Sequence, residues 1–141
     1  MGNFTQGQYD NIERFLEENQ GAKLGYHPVH DRFVRNVANN LGRLVPNTEQ
    51  AKAYHEVAFQ NQEGVILGSI DLAVLTPDEF IIVEAKVRER HNWKNTWACK
   101  SQLSKYARLS MQYLGIKPTC IAAYKHINQT NNYKTRVIPI F

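Results

Sequence analysis

Hydrophobic positions recur along this chain with two different periods, and the change between them separates helical from extended segments. Tyr9 to Glu18 forms a short amphipathic helix candidate ending near Gly21. Pro28 to Leu41 is a stronger one. Phe33, Val34, Val37, Ala38 and Leu41 make a single stripe at helical spacing, Pro28 opens the first turn where a missing N–H costs nothing, and Gly42 ends it. His30 extends that stripe by one turn towards the N-terminus. A polar ring on the face that meets the core needs a partner.

After Pro46 and Asn47 the period falls to two, and three strand-like runs follow at Ala53 to Gln60, Val65 to Leu75 and Phe80 to Val87. Thr76-Pro77-Asp78-Glu79 suits a tight turn with Pro77 at its second position, so antiparallel pairing is expected. A long helix from Thr96 to Leu114 is stopped by Gly115 and Pro118. Thr119 to His126 and Thr135 to Phe141 then read as two strands joined by a hairpin loop at Asn128 to Asn132. The pattern predicts one α/β domain over residues 1–141, with helices before a meander and a right-handed crossover that returns a parallel strand beside the third one.

Composition narrows the class. Hydrophobic residues at 43% and charged residues at 21% of 141 positions fit a self-folding globular domain and exclude disorder. Cys99 and Cys120 are too few for a disulfide scaffold, a four-thiolate zinc site or an iron–sulfur cluster, and favour a reducing, cytoplasmic setting. Apolar runs such as Ile81-Ile82-Val83 are far short of a membrane span, and no signal sequence or membrane anchor is expected. A net charge of +4 leans towards polyanionic partners.

The strongest chemical signal lies in the second hairpin. A hairpin centred between Pro77 and Asp78 pairs Asp71 with Glu84, and directly opposed residues have Cβ atoms about 4.5–5.5 Å apart. Two carboxylates so placed repel unless a cation lies between them, and a divalent metal ion is the natural neutraliser. Lys86, two residues beyond Glu84, points to the same face, with Phe80 and Ile82 behind it. The alternative is an exposed sheet face decorated with charge. Against it, Ile81, Val83, Ala85 and Val87 make the other face apolar too, so this strand should be central, where an acid and a lysine need a chemical reason.

Asp71, twelve intervening residues and Glu84-Ala85-Lys86 resemble the PD-(D/E)XK nuclease signature. Gly68-Ser69-Ile70-Asp71-Leu72 and the helical Gln102-Leu103-Ser104-Lys105-Tyr106 are similar to the Gly-x-Ile/Val-Asp and Q-x-x-x-Y motifs of its RecB-like branch. Gly25-Tyr26-His27-Pro28-Val29-His30 resembles that branch's Gly and metal-binding His motif, one residue longer than usual; the apolar stripe selects His30 over His27. The resemblance covers about Gly25 to Tyr124 and implies a restriction-endonuclease-like core of order αβββαβ with a mixed central sheet. Ile70 replaces the signature's proline, a variant common in that branch. The four cluster-binding cysteines of the CRISPR-associated members, and helicase motifs, are absent, so the chain resembles a minimal stand-alone nuclease such as viruses and mobile elements encode.

The resemblance implies Mg²⁺, with Mn²⁺ able to substitute, held by His30, Asp71, Glu84 and the Ala85 carbonyl. Asp71, Glu84, Lys86, Gln102 and Tyr106 would be catalytic: Lys86 positions the nucleophile or stabilises charge on the phosphate, and Gln102 and Tyr106 hold the substrate backbone or brace the lysine. The expected partner is DNA, in repair, recombination or replication, with the protein monomeric or homo-oligomeric. Arg88, Arg90, Lys94, Lys100 and Lys105, with Trp93 interleaved, form a basic segment that reads as a DNA track with aromatic stacking. Glu56 reads as a surface acid of the first strand. A Holliday-junction resolvase of the same fold and a non-cleaving DNA-binding protein remain as alternatives.

Overall fold

The structure is a computed structural model describing residues 3–22, 27–88, 93–126 and 133–140, with the side chains of 88, 93–98 and 126 outside the description. Helix α1 spans Gln6–Asn19 and begins three residues before the apolar pattern does. The cause is a reciprocal cap: Thr5 Oγ1 accepts the Gln8 N–H at 3.1 Å while Gln8 Oε1 accepts the Thr5 N–H at 2.9 Å. Helix α2, Pro28–Ala38, stops short of the expected Leu41. In a continuing helix the Asn40 N–H would bind the Asn36 carbonyl. Instead the Asn40 side-chain amide takes that carbonyl at 2.7 Å, and its N–H turns to Val37. A short 3₁₀ turn follows at Leu41–Arg43.

Strands β1 (Lys52–Gln60), β2 (Ile66–Leu75) and β3 (Phe80–Arg88) form the expected meander. Helix α3 (Trp93–Leu114) then crosses over to β4 (Thr119–His126), and β5 (Lys134–Val137) completes the sheet. The spatial order is β1-β2-β3-β4-β5, antiparallel except for the parallel β3/β4 pair, so the protein is α/β with a mixed five-stranded sheet flanked by helices. The turn before β3 is as predicted: Thr76 N–H donates to Glu79 O, and Thr76 Oγ1 accepts from the Asp78 and Glu79 N–H groups. β5 ends before the expected Phe141. Ile138 N–H still reaches Cys120 O, but Pro139 has no N–H with which to extend the ladder. The expected loop at Asn128 to Asn132 lies outside the described residues.

Both sheet faces are covered. On one, Leu103, Tyr106 and Leu109 of α3 and Ile12 and Leu16 of α1 pack on Val57, Phe59, Ile70, Phe80 and Ile82. On the other, Phe33, Val34 and Val37 of α2 pack on Leu72, Val74, Ile81, Val83 and Ala85. The third strand is therefore central and two-sided, as its sequence requires. Among the described residues no helix is long and apolar enough to cross a membrane.

Candidate active site

The β2/β3 ladder has the predicted register, Leu75↔Phe80 through Leu72↔Val83, and its pairing ends there. One step further Asp71 does not stand opposite Glu84 as a simple partner. Its Oδ2 accepts the Ala85 backbone N–H at 2.9 Å, so a side chain occupies the place of a ladder bond. The neighbouring pair distorts at the same level. β1 and β2 pair at His55↔Leu72 and Val57↔Ile70, but Glu56 between them has φ 51°, the left-handed region that side chains other than glycine rarely adopt. Tyr54 and Val57 therefore share one core layer, as do Ile70 and Ala73, which strict alternation forbids. Gly21 and Ala22 hold the distortion from outside, donating N–H groups to the His55 and Glu56 carbonyls. β2 and β3 part at this level, and the Asp71 carboxylate lies in the fork.

His30 approaches from α2. Its Nε2 lies 3.3 Å from Asp71 Oδ2 and 3.2 Å from Ala85 O, both acceptors, so this nitrogen carries a proton shared between them. The imidazole pKa is pushed up to about 9, chiefly by the Asp71 hydrogen bond, with desolvation opposing and the Asp71 charge assisting. Asp31 Oδ1 lies 3.5 Å from the other ring nitrogen and adds to the rise. This second acid is invisible as a motif; its only sequence signal is adjacency to His30. His27 is the exposed residue preceding α2 and makes no capping bond, so the structure separates the two histidines as the apolar stripe does.

Glu84 is only 4% exposed, and its Oε1 pairs with Lys86 Nζ at 3.2 Å. Its Oε2 is buried and lacks a hydrogen-bond partner among the described residues. Burial first, and the Asp71 charge second, push this carboxyl up to about 7, against the pull of Lys86. From the opposite face, α3 brings Tyr106, whose hydroxyl donates to Gln102 Oε1 at 2.7 Å. The Tyr106 hydroxyl pKa is raised, mainly by burial and further by the charges of Glu84 and Asp71. Gly68 explains how the ring fits: a Cβ there would lie 3.1 Å from Tyr106 Cε1 and 3.2 Å from Leu109 Cδ1.

The structure thus gathers His30, Asp71, Ala85, Glu84 and Lys86 at the fork, with Tyr106 and Gln102 on its α3 side. Gln102 is seen bonded to Tyr106 and not to Lys86. Lys100 and Lys105 are exposed on α3. The side chains of Arg88, Trp93 and Lys94, and all of Arg90, lie outside the described residues.

Neighbouring ligands of an octahedral ion with bonds of about 2.1 Å stand about 3.0 Å apart, close to the spacing of His30 Nε2 from Asp71 Oδ2 and Ala85 O. Those three donors, with the unpartnered Glu84 oxygen, fit a hard divalent cation in chemical type. Among the described residues no three His, Cys, Asp or Glu side chains close on one point, because the third donor beside His30 and Asp71 is a backbone carbonyl and Glu84 is held by Lys86.

No family model matches the chain, and no curated protein does. A solved chain described as the crystal structure of SSO0001 aligns with 96% of this chain and 79% of its own, at 15% identity and a TM-score of 0.44. A likeness that slight bears on neither fold nor chemistry.

Proposed function

We propose that the chain is a divalent-metal-dependent deoxyribonuclease with the restriction-endonuclease-like core of the PD-(D/E)XK enzymes, nearest in its motifs to the RecB-like branch. The observation that carries this reading is the fork itself. A carboxylate replaces a ladder bond on Ala85 N–H, and a histidine bridges it to the Ala85 carbonyl beside a buried glutamate with a lysine on one oxygen. A structural salt bridge would not need the unpartnered Glu84 oxygen; Ser110 Oγ and Tyr133 Oη are likewise buried without a hydrogen-bond partner among the described residues, but a carboxylate oxygen costs more free energy there than a neutral hydroxyl.

Asp71, Glu84, the Ala85 carbonyl and His30 would hold Mg²⁺, or Mn²⁺ in its place. The ion supplies Lewis acidity towards a phosphodiester and a water of lowered pKa. His30 must give up its shared proton to become a ligand. Lys86, held 3.2 Å from Glu84, presents its ammonium to the charge that grows on phosphate oxygens in the transition state. Tyr106 and Gln102 form one hydrogen-bonded unit that orients the amide towards a substrate backbone.

The test is cleavage of labelled single- and double-stranded DNA and of four-way junctions with Mg²⁺, Mn²⁺ or EDTA. Lys86→Ala should lose several orders of magnitude in single-turnover rate while keeping metal affinity. Asp71→Ala should lose most of the thermal stabilisation that the metal confers. DNA binding without metal-dependent cleavage identifies the non-cleaving alternative, and cleavage of junctions alone identifies a resolvase. An Asp71→Ala protein that binds metal and cuts normally overturns the assignment.

A further inference from the structure

The charges of this chain are divided along its length. All 13 acidic residues lie at or before Glu89, together with eight of the 17 lysines and arginines; residues 90–141 hold the other nine and no acid. The fold converts this into a division across the sheet. α1, with Asp10, Glu13, Glu17 and Glu18, packs beside β1 at one edge, whereas β4 and β5 form the other edge and α3 covers the face between. The carboxylate fork sits on the seam. A polyanion is drawn to the β4/β5 flank and repelled from the α1/β1 flank.

Strand register selects the residues that meet it. The parallel β3/β4 pairing sets Lys86 beside Tyr124, and the antiparallel β4/β5 pairing sets Tyr124 beside Lys134. The adjacent row runs from Glu84 across Ala122 to Arg136. Ile82, Cys120, Ala122 and Ile138 belong to the α3-side layer, so alternation turns Lys86, Tyr124, Lys134 and Arg136 to that side too. Lys134 and Arg136 are exposed, and neither β4 nor β5 carries an acid. With strands about 4.8 Å apart, Lys134 stands about 10 Å from Lys86, the reach of a short run of nucleic-acid backbone.

Resting on the nuclease reading above, we propose that this row is the path of a nucleic-acid single strand leaving the carboxylate fork. Lys86 meets the reacting phosphate, the Tyr124 ring offers a stacking surface for an unpaired base, and Lys134 and Arg136 contact the following phosphates. β5 thereby has a use beyond completing the sheet: it is a cationic rail along its edge.

The experiment measures anisotropy of a fluorescein-labelled, mixed-sequence single-stranded DNA oligonucleotide in EDTA across a salt series. Each lost phosphate contact lowers the salt slope by about 0.7. K134E/R136E should bind about ten-fold more weakly at moderate salt, with a slope smaller by about 1.4. K134Q/R136Q should show the same slope change without added repulsion, melting temperatures confirm that both fold, and Arg14→Glu on the acidic flank should leave the slope unaltered. Wild-type slopes in both double variants, or no binding by the wild type, overturn the path. The nuclease reading is judged separately: a wild-type protein that cuts DNA alongside unaltered slopes removes the path alone. Reduced slopes without cleavage in Mg²⁺ or Mn²⁺ keep the path and remove the nuclease.

Discussion

Replacing Glu84 by glutamine should stabilise the metal-free protein at alkaline pH while abolishing cleavage. The carboxyl is 4% exposed and its pKa is raised from 4.5 to about 7, first by burial and then by Asp71. A folded pKa above the unfolded one means that the native state binds the proton more tightly. Stability is therefore full below the unfolded pKa, falls as pH rises between 4.5 and about 7, and stays reduced above that. At about 1.4 kcal/mol per pKa unit the loss is about 3 kcal/mol, an upper value because relaxation around the charge returns part of it. For a chain of this size that corresponds to about 10 °C in melting temperature. The glutamine amide keeps the shape and an oxygen for Lys86 but carries no charge to desolvate. Urea unfolding of both proteins in EDTA, from about pH 5 to about pH 9, measures the difference. The two curves should run together at the acid end and separate through neutrality, with the variant higher. His30 contributes a further decline, common to both proteins, as pH passes from 6.5 to about 9 and its stabilising proton is lost. Parallel curves with equal stability at pH 8 would refute the argument that a charged, partly unsatisfied Glu84 is held in the core against its solvation.

Gly68→Ala should cost about 1–3 kcal/mol, seen as a lower melting temperature, because the added methyl must displace Tyr106 and Leu109 by a few tenths of an ångström. Tyr106→Phe removes the 2.7 Å bond to Gln102 and should cost about 1 kcal/mol in urea unfolding, with a fall in cleavage rate at saturating DNA. Cys120, whose thiol burial pushes up to about 11, should resist Ellman's reagent in the native protein and react at once in denaturant, read on a Cys99→Ala background. Thr5→Ala removes one arm of the α1 cap and should lower stability by about 1 kcal/mol.

Element identity was legible in the sequence because it follows from short-range periodicity. The α2 stripe, the two-sided apolar β3 and the Thr76-Pro77-Asp78-Glu79 turn each state their own structure, and the turn alone fixes the β2/β3 register down to Leu72↔Val83. Asp71 and Glu84 could be placed at one level by that arithmetic, Lys86 on the same sheet face, and His30 on the core side of its helix. Helix ends were less legible, since Thr5 with Gln8 and Asn40 with Asn36 act through side-chain bonds that hydrophobic period does not register. What only the tertiary structure decided is where the regular pattern breaks. Asp71 leaves its alternation to take the Ala85 N–H, Glu56 adopts a left-handed backbone opposite it, and Glu84 is left with one oxygen unpartnered among the described residues. Periodicity describes a ladder in which every bond repeats. The fork joins Asp71 to Ala85, 14 positions on, and to His30, 41 positions back, while Gly21 and Ala22 hold the distorted stretch of β1 beside it, long-range contacts that no run of neighbouring residues can encode.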